Sequence, residues 1–170
     1  MKKIVTLSLL LLVSTLQAQF LEKLGKVDTQ NGFFKFHYTE KTDNIYLEVV
    51  NLNQEFIYVH ALKSGIGSND IGLDRGQLGG TAIVKFIKAG NKLLLVQPNQ
   101  DYRAITDNAA ERESVEEAFA KSVLYGFEIK ETLGETYIID LTPFLMEDAH
   151  GVAQRLKSNN EGVYKLDKDR

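Results

Sequence analysis

The chain is organised around residues 65–80, GIGSNDIGLDRGQLGG, which join two apolar, strand-like runs. Six of these sixteen residues are glycine, out of 13 in the whole chain, and glycine adopts backbone conformations that other residues avoid. Ile66, Ile71, Leu73 and Leu78 are distributed along the stretch. Long connections without secondary structure are usually functional or disordered, and these apolar side chains favour an ordered loop. We call residues 65–80 the glycine-rich loop.

Alternating apolar and polar residues predict β-strands on both sides of the glycine-rich loop. Before it, residues 33–38 and 45–49 alternate around turn residues and predict a hairpin, and residues 56–62 form a mostly apolar third strand. After it, residues 81–89 alternate again, whereas residues 93–96 are apolar without alternation. The latter pattern is typical of a strand that is covered on both faces.

Two helices are predicted in the second half of the chain. Asn108 is a good N-cap with Glu111 three residues later, and Val115 and Phe119 belong to a narrow apolar stripe at helical spacing. Thr142-Pro143 is typical of the start of a second helix, because proline is tolerated in the first turn.

Further strands are predicted around these helices. A hairpin is expected over residues 127–141, with Gly126 at the helix end or at a bend, and residues 163–166 begin a strand pattern that stops at residue 170. That stop favours a fragment of a longer protein. The total of about seven strands predicts an α+β, strand-rich fold: a twisted antiparallel sheet with about two short helices, in a single domain.

The first eighteen residues have the features of a secretory signal peptide. Met1-Lys2-Lys3 is basic, residues 4–13 are almost wholly apolar, and the small residue Ala18 ends a cleavage region. The apolar run is too short to span a bilayer. The predicted organisation is a signal peptide over 1–18, a lead-in segment over 19–31 that could be a helical turn or an arm, and one domain over 32–170.

Removal of the signal peptide leaves an acidic chain without cysteine. The net charge moves from −3 to −5, because residues 1–18 carry two lysines and no acidic residue. This balance offers no broad basic surface for nucleic acid, and no later stretch has the length of a membrane span. Export without disulfides suits a bacterial periplasm or exterior, so the chain is expected to be periplasmic, on the outer surface or secreted.

The three histidines do not have the spacing of a metal site. His37, His60 and His150 are far apart, and no His-Glu-x-x-His motif occurs. We expect His37 and His60 to be hydrogen-bonded residues of a sheet, and His150 to cap or pack near a helix start. No catalytic, cofactor-binding or metal-binding residue is predicted in this chain.

The glycine-rich loop contains the candidate interaction residues, which are Asn69, Asp70, Asp74, Arg75 and Gln77. The loop lacks the glycine and lysine spacing of a nucleotide-binding loop. Its oxygen ligands leave calcium as an alternative, although their spacing is not that of an EF-hand. In a purely structural role, Asn69 and Asp70 would form turns, and Asp74 would pair with Arg75 or with backbone amides.

Several segments of the chain resemble one protein family. The most specific is the run Gly-Ser-Asn-Asp-x-Gly-Leu-Asp-Arg-Gly-Gln inside the glycine-rich loop. The segments are 56–59, 65–79, 84–86, 94–99, 102–103, 119–127 and 148–153. Together they resemble the domain of unknown function found near the N-terminus of large secreted bacterial zinc-dependent metalloproteases, which are common in Bacteroidota. The likeness covers roughly residues 32–170.

The resemblance implies a function for the chain. In that family the zinc site lies in a later domain with the motif His-Glu-x-x-His-x-x-Gly-x-x-His, which is not in these 170 residues, so no catalytic residue carries over. The resemblance therefore implies a non-catalytic accessory or scaffold domain. Its partner would be a metalloprotease catalytic domain in cis, zinc would be bound only there, and the glycine-rich loop would be a docking surface. The alternative is a stand-alone exported module that binds a peptide, a glycan or calcium.

Overall fold

The computed structural model describes residues 19–67 and 70–168, and in these ranges the chain has a strand-rich α+β fold with antiparallel strands. The predicted fold class is confirmed. The eight strands in these ranges are β1 (Asp28–Asn31), β2 (Lys35–Thr39), β3 (Asn44–Val49), β4 (Phe56–Ala61), β5 (Leu78–Ala89), β6 (Lys92–Gln97), β7 (Ser122–Leu133) and β8 (Thr136–Asp140). The four short helices in them are α1 (Gln19–Lys23), α2 (Ala109–Ala118), α3 (Thr142–Leu145) and α4 (Val152–Ser158).

Some sequence predictions fall on other parts of the chain. The predicted signal peptide, residues 1–18, lies outside the described residues, as does the candidate residue Asn69. Within the described ranges, none of the helices combines the length and the apolar character that crossing a membrane requires.

The chain divides into two compact units. The first contains the residues up to Asn51 together with Phe127–Thr142, and the second contains Leu52–Gly126 together with the residues from Pro143 onward. That residues 32–170 form a single domain stays a prediction.

The first unit is an antiparallel sheet with the strand order β1-β2-β3-β8-β7. Leu47 on β3 and Ile129 on β7 both lie beside Ile139 on the central strand β8. Tyr46 and Leu47 are both buried, and so are Ile138 and Ile139. Because neighbouring residues of a strand point to opposite faces, the central strands of this unit are covered on both sides.

Strand β1 begins inside the lead-in segment, whose structure the sequence left open. The segment contains both a helical turn, α1, and this strand. All four residues of β1 are exposed, so the strand has no hydrophobic alternation that a sequence pattern could detect. Its pairing with β2 identifies it instead.

His37 is buried in the first unit among polar partners. Its Nδ1 lies 2.9 Å from Thr29 Oγ1 and its Nε2 lies 2.8 Å from Glu48 Oε1, while Lys35 Nζ lies 2.8 Å from the other oxygen of Glu48. Burial raises the pKa of Glu48, but the hydrogen bonds from Lys35 and His37 outweigh burial and hold that pKa below its ordinary value. The prediction that His37 is a hydrogen-bonded sheet residue is confirmed.

The second unit has the strand order β7-β6-β5-β4. Strand β7 is counted in both units, because its residues up to Gly126 belong to the second unit and those from Phe127 belong to the first. Its core includes Val84, Leu93 and Val96, each with no exposed surface. Strand β4 is the last in this order, and its side chains alternate between a half-buried and an exposed face. On the exposed face, 71% of Ile57 and 43% of Val59 are accessible to solvent.

Helix α2 begins as predicted but does not face a core. Asn108 is the N-cap, and its side chain accepts a hydrogen bond from the Ala110 N–H at 3.0 Å. No residue of the helix is buried, so its narrow apolar stripe does not contribute to the core. Phe119, just after the helix, stacks on Tyr102 with ring centroids 3.9 Å apart.

Two local predictions in the second unit are wrong. Gly126 lies inside β7 rather than at a bend. A Cβ there would be 3.3 Å from Leu94 Cδ2, so the glycine leaves room for a side chain of the neighbouring strand. Residues 163–166 have no regular secondary structure.

Candidate functional site: a groove beside the glycine-rich loop

The glycine-rich loop is closed at its base by backbone hydrogen bonds. The Ile66 N–H donates to Leu73 O at 3.1 Å, the Leu62 N–H donates to Gln77 O at 3.0 Å, and the Gly76 N–H donates to Leu62 O at 2.7 Å. Leu73 anchors the loop, since it is only 1% exposed. Leu78 is 65% exposed and does not anchor it. The expectation of an ordered loop is therefore confirmed for its described residues, with Leu73 as the main packing residue.

The predicted interaction residues have different environments in this loop. Asp70 and Arg75 are exposed, and Asp74 and Gln77 are half-buried. Asp74 and Arg75 line one shallow depression, but the hydrogen bond given for Asp74 involves its backbone and not the carboxylate that was predicted to pair with Arg75 or with backbone amides. The Asp74 N–H donates to Gln77 Oε1 at 3.2 Å. Within residues 19–67 and 70–168, no three His, Cys, Asp or Glu side chains converge to hold a metal ion.

A groove of about 620 Å³ lies beside the base of the loop in the second unit. Strand β4 forms one wall, and the segment from α3 to α4, with residues 164–166, forms the other. Apolar and aromatic side chains predominate in its lining; they include Tyr58, Leu62, Phe144, Leu145, Leu156 and Tyr164. We call this feature the groove. Leu62 connects the two features, because it lines the groove and is hydrogen-bonded to the loop residue Gln77.

Aromatic contacts hold the wall of the groove in place. The Phe144 ring lies 5.7 Å from the Tyr58 ring and 5.2 Å from the Tyr125 ring, the second contact being edge-to-face. Burial raises the pKa of the Tyr58 hydroxyl, and the nearby Glu147 carboxylate raises it further. Tyr58 is thus a neutral phenol that can donate or accept a hydrogen bond.

Two histidines meet at the groove. His60 Nδ1 and His150 Nδ1 lie 2.9 Å apart, and their rings are nearly perpendicular, with centroids 4.9 Å apart. His150 is only 9% exposed, and its Nε2 is buried without a hydrogen-bond partner among the residues that the structure describes. Burial lowers the pKa of His150, His60 and Arg155 lower it further, and Asp148 opposes them. His150 is therefore a neutral imidazole near neutral pH.

Local sequence explains how the two rings are held. A Cβ at Gly79 would occupy the space of the His60 ring, so only glycine fits beside it. On the other side, the Asp148 carboxylate accepts hydrogen bonds from the Val152 and Ala153 N–H groups at 2.8 and 2.9 Å. Asp148, rather than His150, therefore caps α4, and His150 has the predicted packing role.

A long-range hydrogen bond joins α4 to the glycine-rich loop. Arg155 Nη1 donates to Gly72 O at 2.8 Å. Gly72 has a φ of 67°, a conformation that favours glycine, and a Cβ there would lie 3.0 Å from the Arg155 guanidinium. Sequence reasoning did not find Arg155 or the histidine pair. Two features of the sequence pointed to this region: Tyr58 and His60 fall on the same face of a strand, and residues 148–153 are one of the family-like segments.

Comparison with known families assigns the chain. The model of a domain of unknown function, DUF5117, matches residues 76–170, more than half of the sequence. The chain belongs to the DUF5117 family. A second model, a domain of unknown function named DUF5118, matches residues 20–65. No curated protein and no solved structure matches the chain.

The two matches meet at the candidate site. The DUF5118 match ends at residue 65 and the DUF5117 match begins at residue 76, so the interval between them lies in the glycine-rich loop. His60 belongs to the DUF5118 match and His150 to the DUF5117 match. Neither of the two family descriptions names an activity.

Proposed function

We propose that this DUF5117 chain is a non-catalytic accessory domain of an exported zinc-dependent metalloprotease. The groove is the observation that carries the proposal, because a concave surface with apolar and aromatic walls is suited to apolar side chains of a polypeptide. The resemblance of the seven sequence segments supplies the identity of the partner. That partner is the catalytic domain of the same polypeptide.

The chemistry of the groove suits a protein partner. Tyr58 and Phe144 offer rigid aromatic surface, and Leu145 is 50% exposed beside them. Buried aromatic and aliphatic anchors dominate the binding energy of most protein interfaces. Glu147 and Lys165 also line the groove and provide polar groups at its margin. A segment with one or two large apolar side chains would fill this surface.

The exposed residues of the glycine-rich loop are candidates for a second contact with the partner. Asp70 and Arg75 are exposed, whereas the base of the loop is fixed by hydrogen bonds. Charged groups on a rigid support favour specific orientation of a partner more than raw affinity. We propose that the groove supplies most of the binding affinity and that these loop residues orient the partner.

The coding sequence provides the first test. Reading the gene beyond the codon for Arg170 should reveal a domain with the motif His-Glu-x-x-His-x-x-Gly-x-x-His. A stop codon at that point, with no zinc motif downstream, contradicts the assignment to a metalloprotease.

A binding experiment tests the role of the groove. The chain and the catalytic domain are produced separately, and their affinity is measured by calorimetry. Leu145→Glu should weaken binding by at least about tenfold, or about 1.4 kcal/mol. Ile105→Glu is the matched control, because Ile105 is 99% exposed and is not a groove residue. Equal affinities for the two variants refute a docking role for the groove.

A stand-alone binding module is the second candidate function. The volume of the groove, about 620 Å³, is within the range of small-molecule sites. A thermal-shift series with glycans, peptides and calcium tests it. A ligand present at a hundred times its dissociation constant stabilises the fold by about 2.7 kcal/mol. The absence of any shift counts against this candidate.

A further inference from the structure

The histidine pair at the groove is a convergence that neither family model nor the proposed docking role explains. His60 comes from β4 and His150 from the turn before α4, 90 positions apart in the sequence, yet their Nδ1 atoms lie 2.9 Å apart. We propose that His60 and His150 bind a divalent transition-metal ion through these two nitrogens. This proposal does not depend on the metalloprotease assignment.

The separation of the two nitrogens fits a shared metal ion. Imidazole nitrogens lie about 2.0–2.1 Å from zinc, so two of them in a tetrahedral site are about 3.3 Å apart. The present separation of 2.9 Å must therefore widen by about 0.4 Å, and both rings must turn so that their Nδ1 lone pairs converge on the ion instead of lying along the hydrogen bond between them. The rings are nearly perpendicular rather than stacked, at 85°. A small opening of the pair therefore does not require the separation of two stacked faces.

The proton balance of the pair also favours a metal ion. Without metal, one Nδ1–H must donate to the other Nδ1, because two protonated nitrogens would repel and two bare ones would have no bond between them. When a metal ion accepts both Nδ1 lone pairs, the shared proton moves to Nε2 of the same ring, so the pair loses no proton. Each imidazole is then neutral with its proton on Nε2, which is the usual form of a histidine ligand.

The other ring nitrogen of His150 shows that this side chain is not fully satisfied. His150 Nε2 is buried without a hydrogen-bond partner among the described residues, and neither tautomer of the pair gives it one. Buried polar atoms almost always have hydrogen-bond partners, and the exceptions often mark functional groups. This nitrogen points away from the pair and does not bind the proposed ion, so His150 packs as predicted while its hydrogen bonding stays incomplete.

Both rings are held in place before any metal binds. The absence of a side chain at Gly79 leaves the space that the His60 ring occupies, and the Asp148 cap fixes the turn that carries His150. A site whose ligands are already ordered spends little entropy on binding. The groove at both histidines provides room for water or a further ligand at the remaining positions.

The ligand set defines the class of metal. Two imidazoles suit copper, nickel and zinc, whereas magnesium and calcium prefer oxygen ligands. The Asp148 oxygens are engaged with backbone amides, and no third His, Cys, Asp or Glu completes the site within the described ranges. The site is thus a two-ligand site, with affinity in the order copper above nickel and zinc.

Calorimetry on the full chain, purified without a histidine tag and stripped of metal, tests the proposal. Copper, nickel and zinc should each bind at one equivalent per chain, and magnesium should not bind. His60→Gln and His150→Gln should each weaken binding by at least about tenfold. Gly79→Ala should also weaken it, because the added methyl group displaces the His60 ring while both imidazoles stay in the chain. His37→Gln is the control and should bind as the wild type does.

NMR of the wild-type chain provides a readout that does not depend on the stability of any variant. Diamagnetic zinc should shift the ring nitrogen signals of two histidines and leave those of His37 unchanged. The proposal is overturned if no transition metal binds, if His60→Gln or His150→Gln keeps wild-type affinity, or if the His37 signals shift with the others. None of these outcomes bears on the assignment to a metalloprotease.

Discussion

Gly65 is a position where the glycine-rich loop has no room for a side chain. A Cβ there would collide with the backbone nitrogen of Arg75, and would lie 2.7 Å from Leu73 O and 2.8 Å from the Asp74 carbonyl carbon. All three are backbone atoms, and the Ile66 N–H donates a hydrogen bond to Leu73 O. They cannot rotate away as a flexible side chain would. Gly65→Ala must therefore open the base of the loop.

The expected cost is the difference between two opposing effects. Overpacking costs about 1–3 kcal/mol, whereas replacing glycine by alanine gains about 0.4–1 kcal/mol through the unfolded chain. From the midpoints of these ranges, about 2 and about 0.7 kcal/mol, the net loss of unfolding free energy is about 1.3 kcal/mol. This loss lowers the Tm by about 3–5 °C for a chain of this size. Urea unfolding followed by circular dichroism, together with a thermal melt, measures both quantities.

Gly80→Ala is the matched control for this experiment. Gly80 is exposed, and a Cβ there meets no atom within 4 Å. This variant should be within about 0.5 kcal/mol of the wild type, or more stable. If Gly65→Ala proves as stable as Gly80→Ala, the close backbone approach at Gly65 is not a constraint and the reasoning is refuted.

Three further substitutions test the contacts described above. The pKa of Glu48 lies below its ordinary value of 4.5, so the stabilisation from its carboxylate is complete above about pH 4.5 and is lost as the pH falls through the lower, folded-state pKa. The variant Glu48→Gln should therefore be less stable than the wild type at neutral pH and should lose less stability on acidification. Urea unfolding across this pH range measures both effects. Asp148→Ala removes the cap of α4 and should cost about 1 kcal/mol in a thermal melt. Arg155→Gln breaks the bond to Gly72 O and should speed amide exchange in the glycine-rich loop, measured by mass spectrometry, while global stability changes by less than about 1 kcal/mol.

Each of these substitutions has a control. Glu128→Gln alters an exposed ion pair and should leave the acid dependence unchanged. Asp148→Asn retains an oxygen that can cap the helix, and Lys157→Gln removes an exposed charge from the same helix as Arg155. If a control variant shows the same change as its test variant, the contact that the test variant removes has no special role.

Local patterns were sufficient to predict most of the strands. Alternation located β2, β3 and β5, and the apolar run at 93–96 located β6, because these strands bury one face or both. The cap at Asn108 was also found, since it depends on residues close in sequence. Such features follow from backbone conformation and hydrophobic burial within a few residues.

Features that depend on distant partners were not predictable in this way. Strand β1 has only exposed residues, so pairing with β2 alone identifies it. The contact of His60 with His150 joins positions 90 residues apart, and the bond from Arg155 to Gly72 joins positions 83 apart. The loop residues named from the sequence were largely exposed or bonded within the loop. The side chains that converge at the groove lie in ordinary strand and helix patterns.

Strand β4 has a consequence for handling the protein. It is the last strand in the order of its unit, and Ile57 and Val59 face solvent on its outer side. Terminal strands with apolar faces act as templates for strands of other molecules, which is a common origin of aggregation. Natural proteins reduce this hazard with charged side chains, lysine above all. A lysine at position 57, where Ile57 is 71% exposed and does not line the groove, would therefore keep the chain soluble at the concentrations that calorimetry and NMR require.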